Sequence, residues 1–300
     1  MKSDLLIVGT GALATLFAAR LSAAGVGITM LGSWRDGLEA LRSTGARLDD
    51  WDGQAVQATS NASDCRGTKL ALVLVKSWQT ERSASQLGEC LAEDGLAVTL
   101  QNGLGNDVIL SRALGDKRVS CGVTTLGATL LAPGLVRSAG DGMITLMADS
   151  RLAGLSQMLA LAEFAVSLTE KMEPAIWGKL TINAAINPLT ALLRLRNGGL
   201  LVNAPACDLM GELAGETAKV SEACGVILPF SDPKKEVENV ARRTADNISS
   251  MLQDVLRGAP TEVDAINGAV VRLGEQKGVP SPINRVIYSL VKALPVNDKL

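Results

Sequence analysis

The chain has no histidine, and only one tyrosine, Tyr288, among its 300 residues. Without an imidazole, Ser-His-Asp and Cys-His hydrolytic arrangements are excluded, as is any histidine-ligated metal. Acid and base work must fall to lysine, carboxylates, thiols or that one phenol. Cysteine is sparse and unpatterned. Cys65, Cys90, Cys121, Cys207 and Cys224 form no C-x-x-C and are odd in number, which reads as reduced buried thiols in a cytosol. Neither sign of charge dominates: 29 basic side chains face 31 acidic ones, a formal net charge of -2, and the basic residues are scattered. That leaves no electrostatic footprint for nucleic acid, so small molecules are the expected partners. Long apolar runs are also missing. The apolar run before Gly9 is only four residues long, too short for a signal sequence, and the longest later run is interrupted by asparagines and Pro188. Neither a targeting segment nor a membrane span is expected, and the cytoplasm is the expected compartment.

What the chain does contain is apolar content of 47%, enough over this length for two domains with separate cores. Residues 4–8 (DLLIV) read as a short buried strand and are followed by Gly9, Thr10, Gly11, Ala12, Leu13 and Ala14, then by an amphipathic run to residue 24. This is G-x-G-x-x-A between a strand and a helix. The first glycine permits the tight turn, the second lets backbone N–H groups approach a pyrophosphate, and the alanine allows close helix–strand packing. The next strand, residues 27–31, ends where an NAD enzyme usually carries an acid for the ribose 2′-hydroxyl; here stand Gly32, Ser33, Trp34 and Arg35. No carboxylate repels a 2′-phosphate, and Ser33 and Arg35 can donate to one, so NADP is favoured; the competing reading makes Arg35 a solvated residue opening a helix. A third strand, residues 69–75 (KLALVLV), delivers Lys76 and Gln79 to the same edge of a parallel sheet, and a fourth, residues 96–100, delivers Asn102. Asn102 reads either as a cofactor ligand or as part of an ordinary Asn-Gly turn. Residues 119–131, 134–138 and 143–147 are expected to be antiparallel additions, and residues 152–164 a last helix of a first domain spanning residues 1–170.

From Pro174 onward the periodicity is helical, with runs over residues 204–224, 233–256, 261–277 and 282–294, so the second domain, residues 171–300, is expected to be all-α. Its organising stretch, residues 177–198, reads WGKLTINAAINPLTALLRLRNG. A helix beginning at Trp177 places Lys179, Asn183 and Asn187 at i, i+4 and i+8, a polar stripe in otherwise apolar surroundings. Buried amides and an ammonium need partners: each other, water or a polar ligand.

The motifs GTGALA, VKSWQ, QNG, WGKLTINAAINPLTAL, RNG, DNISSMLQD and PTEVDAINGAVV occur in an order and spacing that resembles the ketopantoate reductases over nearly the whole chain. The resemblance implies an N-terminal Rossmann domain and a C-terminal helical domain with the active site in the cleft between. It implies NADPH-dependent reduction of ketopantoate (2-dehydropantoate) to (R)-pantoate for pantothenate and coenzyme A synthesis. By position, Lys179 takes the role of the general acid. Asn183, Asn197 and Ser250 become substrate contacts, and Glu262 the acid near the nicotinamide. Asn187 belongs to the same motif, either touching substrate or holding the helix. The resemblance also implies Gly9, Gly11, Lys76 and Asn102 on the NADP(H) side. Two departures stand out: Ala14 replaces the third glycine, and Ser33 occupies the family's usual arginine position, with Arg35 two residues on. Apart from the resemblance, Ser250 reads as a helix-surface hydroxyl and Glu262 as an acid near a helix N-terminus. The rival functions are reduction of another 2-oxo acid and a non-catalytic NADP-binding sensor. A monomer or homodimer fits either.

Overall fold

The computed structural model describes residues 3–49 and 51–296, and by internal contacts it divides into two compact units. The first comprises residues 1–101 and 106–172; the second comprises residues 102–105 and 173–300. The sequence boundary at residue 170 thus lies two residues short of Met172, and the excursion of residues 102–105 into the second unit was not foreseen.

The first unit is built on strands β1 (Leu5–Val8), β2 (Ile28–Leu31), β4 (Gln57–Thr59), β5 (Thr68–Val73), β6 (Leu91–Thr99), β7 (Val119–Thr124), β10 (Met143–Met147) and β11 (Ala165–Thr169), in spatial order β11-β10-β7-β6-β5-β1-β2-β4. From β4 across to β7 every pairing is parallel. Helices α1 (Ala12–Ala23), α2 (Arg35–Thr44), α3 (Thr80–Cys90) and α4 (Asn106–Leu114) link these strands, and α5 (Ala153–Leu161) precedes β11. Successive strand residues alternate between the two faces, so Leu5 and Ile7 pack with Phe17 and Leu21, while Leu6 and Val8 join Leu87 and Leu110. A sheet covered on both faces explains why its central strands read as continuous apolar runs.

Three sequence expectations in this unit need correction. β7 is parallel to β6, because α4 carries the chain back across the sheet before it; in this sheet the antiparallel pairing is that of β10 with β7. The run 119–131 is not one strand: β8 (Ala128–Ala132) leaves the large sheet to pair with β9 (Leu135–Ser138), which also pairs with β3 (Arg47–Leu48) in a separate three-stranded sheet. β4 and β11 were not anticipated at all. Both are edge strands with exposed or half-buried side chains, and an edge strand lacks the apolar pattern by which a central one is read.

The second unit contains only helices as regular structure among its described residues, apart from a 3₁₀ turn at Asn197–Leu200: α6 (Glu173–Leu193), α7 (Ala204–Ala223), α8 (Pro233–Arg243), α9 (Ser250–Leu256), α10 (Asn267–Lys277) and α11 (Pro282–Lys292). α6 lies at its centre. Trp177, Leu180, Ala184 and Ala191 pack with Val220, Met251 and Val270, and Ala185, Ile186 and Leu189 pack with Leu213, Val237 and Ile287. A helix apolar on nearly all sides is a buried helix. It starts four residues before Trp177 and continues through Pro188. The single helix expected over 233–256 breaks in two because the Ala245 and Asn247 carbonyls accept the backbone N–H groups of Gly198 and Asn197, at 3.0 and 3.1 Å. Ser249 then restarts the helix, its Oγ accepting the Leu252 N–H at 3.1 Å. α10 begins at Asn267 rather than Thr261, since residues 262–266 form turns. No helix among the described residues is long and apolar enough to cross a membrane.

Candidate active site

In the first unit, the chain reverses direction across the sheet between β1 and β5, the place where open parallel sheets bind ligands at their carboxyl ends. Gly9 leaves β1 there with φ +133°, its N–H donating to the Leu31 carbonyl at 2.8 Å. A Cβ at Gly9 would stand 3.2 Å from the Leu74 carbonyl, so both backbone angle and space demand glycine. Gly11 is the N-cap of α1, with no side-chain cap and no acid in the first turn, and nothing lies within 4 Å of where its Cβ would be. The first N–H groups of α1 therefore have neither a capping side chain nor an acid in their own turn, the arrangement that fits a pyrophosphate. Thr10 is buried and Ala12 and Leu13 are half-buried, while Ala14 is fully buried under the helix. One contributor was missed: a Cβ on Gly32 would approach Thr10 Cγ2 to 2.7 Å, so Gly32 is what lets the glycine turn and the end of β2 close together.

Past Gly32, Ser33 and Arg35 are exposed and line an open groove of ≈ 590 Å³ with Leu38, Glu39, Arg42, Ser43 and Ser60. Arg42 was also missed. Its Nε donates to the Ala58 carbonyl at 2.7 Å, bringing a second guanidinium to the groove that holds Arg35. The i, i+7 spacing of the two arginines along α2 was the available signal. Lys76 and Gln79 are half-buried beyond β5, Gln79 N–H donating to the Lys76 carbonyl at 2.8 Å. Gln101 ties the ends of β5 and β6, donating to Val75 O at 3.0 Å and Thr80 Oγ1 at 2.8 Å.

In the second unit, α6 presents Lys179, Asn183 and Asn187 along one stripe, the first two half-buried and Asn187 buried. Glu262 is only 4% exposed, and its Oε2 accepts the Asn102 amide at 3.0 Å. Leu104 N–H donates to the Ala265 carbonyl at 2.9 Å, fastening residues 102–105 to the same turn. Asn102, placed by sequence on the cofactor side, is thus found holding the Glu262 carboxylate. Burial pushes the Lys179 ammonium down from the usual lysine range to about 8, while the negative charge of Glu262 works against that fall. Lys179, Glu262 and Asn102 therefore form one electrostatic group.

The other residues lie around it in different ways. Ser250 is the first residue of α9 and half-buried; its neighbour Ser249 is bonded to Thr190 of α6 at 2.7 Å, which ties α9 to the turn beyond Asn187. Asn197 is buried with its amide donated to Thr244 Oγ1 at 2.9 Å, a bond that clips the 3₁₀ turn to the end of α8.

A half-buried lysine with a lowered pKa in one unit, and a glycine turn shaped for a dinucleotide in the other, specify a class of enzyme that comparison with known proteins resolves. Residues 5–150 match the family described as ketopantoate reductase PanE/ApbA, and residues 171–295 match its C-terminal counterpart. The chain belongs to the ketopantoate reductase family. The 2-dehydropantoate 2-reductase of Archaeoglobus fulgidus is 36% identical over 96% of each chain, and that of Halobacterium salinarum 33% identical over 95% of this chain and 97% of its own. A PanE/ApbA family ketopantoate reductase from Ralstonia eutropha superposes with a TM-score of 0.89 at 32% identity, covering 97% of both chains. D-mandelate dehydrogenase in complex with NADH and anilino(oxo)acetate gives a TM-score of 0.90 at 23% identity over 96% of this chain and 97% of its own, a likeness of fold. As a ketopantoate reductase family member, the chain is an oxidoreductase acting on CH–OH groups with a nicotinamide dinucleotide.

Proposed function

We propose that the chain reduces ketopantoate to (R)-pantoate with NADPH, in the route to pantothenate and coenzyme A, and that Lys179 is the proton donor. The observation that carries the reading is the Lys179–Glu262–Asn102 group: an ammonium whose pKa is lowered to about 8 stays protonated at neutral pH and gives up its proton readily. The nicotinamide, when bound, supplies hydride to the ketone carbon. Lys179 stabilises the negative charge that develops on the ketone oxygen and then protonates it, completing the CH–OH group. Asn183 orients the substrate from the same stripe, and the Ser250 hydroxyl binds its carboxylate side, with Asn187 and Asn197 at the margins. Glu262, fixed by Asn102, keeps Lys179 charged against its desolvation.

On the cofactor side, Gly9 to Ala14 cradle the pyrophosphate, Lys76 and Gln79 border the same sheet edge, and Ser33 and Arg35 hold the 2′-phosphate, so NADPH is preferred to NADH. All five cysteines are free thiols, in keeping with a cytoplasmic enzyme. The test is the rate of NADPH oxidation against a panel of 2-oxo acids. Ketopantoate should give the highest kcat/KM; a higher value for another acid would transfer the chain to that substrate, and no turnover with any of them would leave the sensor reading.

A further inference from the structure

Pro188 lies inside α6, between Asn187 and Leu189, and has no N–H to give to the carbonyl four residues back. That carbonyl belongs to Ala184, fully buried and next to Asn183. A buried carbonyl without a donor is costly, and in this position it would loosen the helix between the half carrying Lys179 and Asn183 and the half beginning at Asn187. The donor comes from another helix: Asn267, the first residue of α10, gives its Nδ2 to Ala184 O at 2.9 Å.

The orientation of that amide is dictated by a chain of bonds behind it. Asn267 Nδ2 also donates to Asn284 Oδ1 at 3.0 Å, and Asn284 Nδ2 donates to Glu216 Oε2 at 2.9 Å. Glu216 Oε1 and Oε2 accept the Ile283 and Asn284 backbone N–H groups at 2.9 and 2.8 Å, so a carboxylate from α7 caps α11. With both Glu216 oxygens accepting backbone N–H groups, the Asn284 amide points its nitrogen at Glu216 and its oxygen at Asn267. Asn267 is then left with its nitrogen toward Asn284 and Ala184. Asn267 and Asn284 are both 0% exposed, so their two amides are closed off from solvent. Five residues before Asn267 stands Glu262, whose own carbonyl accepts the Ala265 and Ile266 N–H groups at 3.1 Å. The same short segment thus carries the carboxylate beside Lys179 and the amide that closes the gap in the lysine's helix.

We infer that Asn267, oriented by Asn284 and Glu216, is a positioning residue: it replaces the hydrogen bond that Pro188 deletes and so fixes Lys179 and Asn183 against Asn187 and Glu262. The inference rests on the proposed function for its catalytic consequence and on geometry alone for its structural one. Misplacement of a catalytic group by about 1 Å can cost roughly a hundredfold in rate.

The experiment is a double-mutant cycle between Asn267→Ala and Pro188→Ala, because Pro188→Ala restores the missing N–H and makes Asn267 redundant. With Pro188 in place, Asn267→Ala should lower kcat for ketopantoate about tenfold to a hundredfold and leave the KM for NADPH within about twofold. In the Pro188→Ala background the same change should cost less than about threefold. Equal losses in both backgrounds, or unchanged kcat per folded enzyme in Asn267→Ala, would overturn the inference. Amide hydrogen exchange of peptides spanning residues 180–192 reads the same cycle without substrate: exchange should quicken on Asn267→Ala only when Pro188 is present, and identical exchange in wild type and Asn267→Ala would also overturn it. If the wild-type enzyme reduces no 2-oxo acid, the proposed function fails while the exchange cycle still decides the network. Should Asn267→Ala not fold, Asn284→Ser, which frees the amide without deleting it, is read in the same two backgrounds with the same criteria.

Discussion

An unperturbed lysine holds its proton to about pH 10.4 and would give a pH–rate profile flat across the neutral range. Lys179, lowered to about 8, gives a different profile, about 90% protonated at pH 7 and about 10% at pH 9. Because kcat/KM reports the free enzyme, its value for ketopantoate should be level below pH 8 and fall about tenfold per pH unit above it. The limb in kcat should lie at higher pH, since a bound substrate carboxylate adds a negative charge that favours the ammonium. Glu262 supplies an electrostatic contribution opposing desolvation, so Glu262→Gln should move the kcat/KM limb to lower pH. Lys179→Arg should abolish the limb, because a guanidinium stays charged throughout, and should lower kcat by about 10²- to 10⁴-fold because it is a poor acid. The assay is initial-rate NADPH oxidation from pH 6 to 10. A kcat/KM profile flat to pH 10, or a limb unmoved by Glu262→Gln, would refute the assignment of Lys179.

Other substitutions test the remaining parts. Arg35→Ala should raise the KM for NADPH about tenfold or more and that for NADH little; equal losses would assign Arg35 to folding. Asn183→Ala and Ser250→Ala should each raise the KM for ketopantoate with NADPH affinity by fluorescence titration unchanged, and a parallel loss of NADPH binding would remove them from the substrate side. Gly9→Ala forces a side chain into φ +133° and to 3.2 Å from the Leu74 carbonyl, so it should abolish dinucleotide binding and lower Tm by several degrees; strain of this kind costs on the order of 1–3 kcal/mol.

How much of this was readable in advance depended on whether a residue's signal was local. Gly9 to Ala14, and the stripe Lys179, Asn183, Asn187, follow from spacing within one element, and helix periodicity places them without tertiary information. The apolar strands β1, β2, β5 and β6 were legible for the same reason, being buried on both faces. β4 and β11 were not, because an edge strand takes its structure from a neighbour's backbone rather than from its own pattern. The break between α8 and α9 is likewise imposed from outside, by the N–H groups of Asn197 and Gly198 that the Asn247 and Ala245 carbonyls accept. Asn102 shows the same limit in the site: its place in the turn after a strand was legible, but its bond to a carboxylate 160 residues away was not. Asn267 lay in plain view within a quoted motif, yet its bond to Ala184 has meaning only because Pro188 has left that carbonyl without its helical donor.

The lowered pKa of Lys179 also sets a cost in stability that can be measured without substrate. In the unfolded chain this lysine titrates near the ordinary value of 10.5 and in the folded chain at about 8, so between those pH values the unfolded state binds more protons and stability must rise with pH. The destabilisation is complete below pH 8 and relieved as pH climbs toward 10.5. Each pH unit of that interval is worth about 1.4 kcal/mol, giving at most about 3–4 kcal/mol in all, and less for a side chain that keeps some contact with water. Lys179→Met preserves length and removes the charge. The offset from its packing is common to both ends of the range, and the attraction between the charged lysine and Glu262 is already contained in the folded-state pKa of about 8. The stability of Lys179→Met relative to wild type should therefore fall by about 1–3 kcal/mol between pH 7 and pH 10.5, a change of several degrees in the difference of their Tm values. Thermal melts of the two proteins at both pH values decide it. A Tm difference independent of pH would mean that Lys179 titrates as an ordinary lysine, and the proton donor of the reaction would have to be sought elsewhere.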